Sequence, residues 1–137
     1  MGVEWQMRLS NEYYCQLDQF INKYIDRLIE FCREALTFKD YLGINRIVLF
    51  GSFARGTINT LSDLDILFVV SGVVPPSAVE MFLMNDIAIE NEKRYAMDIA
   101  IDVHAMSEYR YEHPDPKSAF EANLHFEGVT LWSRHLV

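Results

Sequence analysis

Residues 47–65 read IVLFGSFARGTINTLSDLD, and this stretch decides the architecture. Ile47, Val48, Leu49 and Phe50 make a compact apolar run, which predicts a buried strand from Ile44 to Phe50 ending at Gly51. Ser52 to about Thr57 suits a short helix or turn, and Leu64 to Val70 is a second β-branched and aromatic strand. Gly51 lets the backbone turn sharply and lets a ligand come close, while the amides that open the following turn favour an anion. Ser52 adds a hydroxyl donor there, and Arg55 can reach the same region with a fork suited to phosphate oxygens. Asp63 and Asp65 are two apart, so on a strand their side chains share a side with Cα atoms about 6–7 Å apart. Such a pair suits hard cations, magnesium above all, beside a phosphate-binding turn.

Outward from this stretch the pattern is as readable. Leu17, Phe20, Ile21, Tyr24, Ile25, Leu28, Cys32 and Ala35 recur at spacings of three and four, which predicts an amphipathic helix from about residue 10 to 41, stopped by Gly43. Ser77 with Glu80 matches a capping box, and Val79, Phe82, Leu83 and Ile87 give the next helix an apolar face until about Lys93. From Met97 to Ala105 the residues alternate, with Met97, Ile99, Ile101 and Val103 on one face and Asp98, Ala100, Asp102 and His104 on the other. A third carboxylate from this strand would let a second ion sit about 3.5–4 Å from the first. Asp102 is the chosen residue and Asp98 the reserve. Asp115 with Pro116 reads as a cap and first turn, Ala119 to Phe126 as a helix, and Gly128 as its terminator before a short apolar tail. The order is α-β-α-β-α-β-α, within one expected domain over residues 1–137 with its core at about 44–132.

Composition narrows the functions. Half the residues are apolar and 23% charged, as in a globular chain, and the net charge of −8 repels a nucleic-acid backbone, so duplex binding is not expected. A small anion remains compatible, because a divalent cation reverses the local field. Gly56 is followed by Thr57 rather than lysine, which disfavours a P-loop NTPase. Met1 to Leu9 carries Glu4 and Arg8 and does not read as a secretory signal, and no apolar run reaches the length of a membrane span. Cys15 and Cys32 would lie about 25 Å apart on one helix and cannot bridge, so a reducing, cytoplasmic setting is expected. His104, His113, His125 and His135 lack ligand spacing and are assigned no role. Glu108 to Glu112 reads as a polar aromatic loop, and Met81, Met84 and Met97 as core fillers.

Gly51 and Ser52, ten intervening residues, then Asp63, Leu64 and Asp65 resemble the signature of the DNA polymerase β-like nucleotidyltransferase superfamily. Leu49 to Gly56 is similar to its minimal, single-domain members, often antitoxins paired with a HEPN-type ribonuclease toxin, and the resemblance spans about Asp40 to Trp132. It implies an α+β fold with a mixed sheet and flanking helices, and transfer of a nucleoside monophosphate, AMP from ATP, to an acceptor hydroxyl. By that analogy Gly51, Ser52 and Arg55 bind the nucleotide's phosphates. Asp63, Asp65 and Asp102 are both catalytic and metal-binding, with Mg2+, two ions, as the cofactor. About 35 residues follow Asp102, too few for an acceptor-binding domain, so the acceptor is expected on a partner such as a HEPN toxin. The alternatives are a non-catalytic antitoxin or nucleotide-binding module, and a transferase acting on a small aminoglycoside-like compound. A homo-oligomer is left open.

Overall fold

The computed structural model describes residues 25–51, 63–94 and 100–134. In chain order the elements are α1 (Ile25–Leu36), α2 (Lys39–Leu42), β1 (Ile44–Phe50), β2 (Leu64–Val70), α3 (Pro76–Phe82), a π-helical turn (Leu83–Ala88), α4 (Ile89–Arg94), β3 (Ile101–Ser107), α5 (Glu108–Glu112), α6 (Ala119–Glu127) and β4 (Val129–Ser133). The four strands form one sheet in the order β3-β2-β1-β4. β1 runs antiparallel to both β2 and β4, whereas β2 and β3 are parallel. A parallel pair cannot be joined by a tight turn, and the chain between them crosses over through α3, the π-helical turn and α4. The result is an α+β domain core with a mixed sheet and flanking helices.

The run-like composition of β2 follows from its central place. Leu64 and Ile66 to Val70 are all buried, and Asp65 alone in the strand is half-buried. On one face Ile66, Phe68 and Val70 pack with Phe31, Cys32 and Ala35 of α1 and with Val79, Leu83 and Ile87 of the crossover. On the other face Leu67 and Val69 meet Val48, Met106 and Leu124. A strand covered on both sides has no polar alternation to keep. β3, nearer the edge, does alternate, with Ile101 and Val103 buried and Asp102 and His104 half-buried.

Several local expectations shift. The helix anticipated to Tyr41 breaks at Thr37, whose hydroxyl donates to the Glu34 carbonyl (2.6 Å), and resumes as α2; Gly43 then ends it with φ +68°. Residues 1–24, where most of that helix was expected, lie outside the described residues. The Ser77 capping box does not form, because Pro76 starts α3 with Pro75 as its N-cap and no side-chain cap; a proline lacks the N–H that a cap would satisfy. Likewise Asp115 does not cap α6. Its Oδ1 accepts from Lys117 N (2.9 Å) in a turn, and Ser118 Oγ takes the cap by accepting from Glu121 N (3.2 Å). Glu108 to Glu112 is helical rather than a loop, capped by Ser107 Oγ accepting from Arg110 N (3.1 Å). The apolar tail after Gly128 is the edge strand β4, which satisfies the backbone of β1 on the side that β2 leaves open. Met81 is 66% exposed and fills no core, while Met84 packs against it.

A buried polar clamp joins α1 to α4. The Arg27 side chain is 1% exposed, and its Nε donates to Asn91 Oδ1 (2.8 Å) while Asn91 Nδ2 donates back to the Arg27 carbonyl (3.2 Å). Glu92 lies 3.9 Å from the guanidinium and its Oε1 also accepts from Ile101 N (3.0 Å), at the start of β3. Cys32 is a free, buried thiol whose burial pushes its pKa far up, leaving it unreactive. No helix among the described residues is long and apolar enough to cross a membrane.

Candidate active site

Strand register assembles the site. The antiparallel pairing of β1 with β2 sets Phe50 opposite Asp65, and the parallel pairing of β2 with β3 sets Asp65 opposite Asp102. Gly51 directly follows Phe50, so the glycine bend and two carboxylates lie in one row across three strands. Gly51 has φ +74°, and a Cβ there would collide with the Asp65 carboxylate. Glycine is required on both counts, since a left-handed conformation costs a residue with a Cβ about 1–2 kcal/mol. We expect Gly51→Ala to lower unfolding stability in urea by at least about 1–2 kcal/mol. It should also weaken divalent-ion binding, because the added methyl displaces Asp65; unchanged binding would mean that the carboxylate has room to spare.

Asp65 sits in crowded negative charge. Burial first, then the neighbouring Asp102 and Asp63, push its pKa up to about 6, with His104 acting in the opposite direction. Asp65 and Asp102 share a hydrogen bond, which holds the proton further. Asp63 is exposed at the threshold of β2. His104 joins the cluster from the same face of β3, its Nε2 lying 3.1 Å from Asp102 Oδ2. One ligand atom from each of Asp65, Asp102 and His104 falls within 4.8 Å of the others. Two carboxylates and an imidazole at that spacing are a donor set suited to one divalent cation. Phe50 and Phe120 flank the imidazole, with ring centroids 5.2 Å and 5.8 Å from it. Beside them a cavity of about 230 Å³ is lined by Phe50, Gly51, Phe120, Asn123, Leu124 and Glu127.

Of the residues singled out in the sequence, Gly51, Asp65 and Asp102 are thus brought together, with Asp63 at the rim. Ser52, Arg55 and Asp98 lie outside the described residues. His104 is the residue that spacing rules missed. It matches no HxxxH pattern, yet its two-residue offset from Asp102 on an alternating strand already placed both on one face.

A family model described as a nucleotidyltransferase domain matches residues 25–126, from α1 into α6. The chain belongs to this nucleotidyltransferase family. The mixed four-stranded sheet of this nucleotidyltransferase domain is accordingly the polymerase β-like fold that the Gly51–Asp65 stretch implied. No curated protein matches the chain. Among solved structures it is similar to a crystal structure from Sulfolobus solfataricus described as that of a putative nucleotidyltransferase, at 18% identity over 93% of each chain with a TM-score of 0.46. Two toxin–antitoxin crystal structures are also similar, each over 80% of this chain and 73% of the other. One contains AMP-PNP (20% identity, TM-score 0.42), and the other is a mutant MntA–HpeT pair (17% identity, TM-score 0.47).

Proposed function

We propose that this chain is a divalent-metal-dependent adenylyltransferase that moves AMP from ATP to a hydroxyl on a partner protein, a HEPN-type toxin. The observation that carries the reading is the opposition of Asp65 and Asp102 across the β2–β3 register, immediately beside Gly51. Asp63, Asp65 and Asp102 supply the carboxylates that hold magnesium. When bound, the metal neutralises the triphosphate and stabilises the charge that develops on the leaving group. Gly51 admits the phosphates to the end of β1, and Ser52 and Arg55 donate to their oxygens. The nucleoside lies in the cavity lined by Phe50 and Phe120, whose rings offer a stacking surface. The acceptor oxygen attacks the α-phosphorus in line, an O–P bond forms, the bond to the bridging oxygen breaks, and pyrophosphate departs. Asp102 takes the acceptor's proton. The choice of a protein acceptor rests on the likeness of Leu49 to Gly56 to minimal nucleotidyltransferases.

Incubating the protein with α-labelled ATP, Mg2+ and a HEPN-type toxin should place label on the toxin, and Asp63→Asn with Asp65→Asn should abolish it. Transfer that persists unchanged in the double variant overturns the site assignment. Tight toxin binding without transfer would make the chain an antitoxin that acts by contact.

A further inference from the structure

We infer that His104 is a direct nitrogen ligand of the cation held by Asp65 and Asp102, and that the centre therefore prefers Mn2+ to Mg2+. The inference rests on the proposed metal site and adds to it the choice of ion. The three side chains come from adjacent parallel strands, and alternation along β3 puts His104 on the carboxylate face with Asp102. The 3.1 Å between His104 Nε2 and Asp102 Oδ2 is close to the edge of an octahedron whose metal–ligand bonds are about 2.1 Å, an edge of about 3 Å. Two ligands can therefore keep their separation when an ion enters. Coordination through Nε2 requires the ring proton on Nδ1, the tautomer in which the Nε2 lone pair faces Asp102 and the ion.

The ring is also held for the task. Phe50 packs edge-on against it and Phe120 lies tilted over it, so its plane is set by the aromatic wall. The side chains of His104 and Asp102 remain 36% and 44% exposed, enough for an ion and its waters to reach them. Two carboxylates and a neutral imidazole match a divalent charge. Magnesium takes oxygen ligands and keeps several waters, whereas an imidazole nitrogen favours the first-row transition ions. Replacing one oxygen position by nitrogen thus tilts the centre toward manganese.

The test uses the full chain without nucleotide. Calorimetry should find Mn2+ bound more tightly than Mg2+, and His104→Asn should weaken Mn2+ by about tenfold or more while changing Mg2+ by less than about twofold. Pulsed EPR of bound Mn2+ should show coupling to a ligand nitrogen that changes on 15N-histidine labelling, a readout that needs no variant, and that disappears in His104→Asn. Absence of nitrogen coupling, or equal losses for both ions, overturns the inference, since a residue that only orients Asp102 would affect both alike. Metal binding through His104 without AMP transfer would sink the transferase reading alone. Transfer with no effect of His104→Asn on either ion would sink the ligand alone.

Discussion

Asp65→Asn should cost at least about a thousandfold in AMP transfer and, in the metal-free protein at pH 7, raise unfolding stability by about 1 kcal/mol. Both effects follow from the same crowding. The carboxyl is pushed up to about 6 by burial and by Asp102 and Asp63, against an ordinary value of 3.8. Between about pH 4 and 6 the folded protein retains a proton that the unfolded chain has released, so stability falls as pH rises through that window and levels off above it. Full conversion of the shift would give more than this, and the half-exposed position reduces it. Asparagine removes the charge and so the slope. A divalent cation should reverse the ranking, stabilising the native protein and not the variant, because it binds the deprotonated carboxylate. Urea titrations at pH 4.5 and 7, with chelator and with Mn2+ or Mg2+, check the sign. Identical pH slopes in the two proteins, or transfer retained by the variant, would show that Asp65 is an ordinary surface carboxylate.

The largest stability effect is expected at Arg27. Arg27→Ala should cost about 3–5 kcal/mol, because it strips a buried network of its donor and leaves the Asn91 side chain, fully buried, without its acceptor contact filled. Replacing both members by apolar residues, Arg27→Met with Asn91→Leu, should recover part of that loss, since no Asn91 amide group is then left without its partner. The midpoints of urea unfolding measure both. A single-variant cost below about 1 kcal/mol would mean that water reaches Asn91 in its place. The clamp also bears on the site: Glu92, beside the guanidinium, holds the amide of Ile101, one residue before Asp102. Arg27→Ala should therefore weaken metal binding as well as stability.

Some of this could be read directly from the order of residues. The apolar run at Ile47–Phe50 and the unbroken run at Ile66–Val70 announce buried strands, since no solvent-facing position interrupts them. Gly43 stops a helix where the chain needs a left-handed residue, and the alternation from Ile101 onward separates a core face from a chemical one. Other features escaped because competing local signals are nearly equal. Ser77 and Asp115 both read as caps, but Pro76 takes the first position of α3 ahead of Ser77, and Ser118 caps α6 while Asp115 is engaged by Lys117 N. β4 has only five residues, and nothing in its own composition separates a strand from an apolar tail until the open edge of β1 is present.

What the chain's own pattern determined was the set of segments and the chemistry each could bring: a glycine bend, a pair of aspartates opening one strand, and an acidic face on another. Tertiary structure alone decided which of those groups meet. Asp65 and Asp102 are far apart in the chain and face each other only because a parallel crossover sets β2 and β3 in one register rather than a neighbouring one. A slip of one residue would turn Asp102 and His104 to the opposite face. Local periodicity specifies which face a residue takes within its strand, but pairing between strands depends on how the whole core packs, and the raised pKa of Asp65 and the place of His104 beside it follow from that packing.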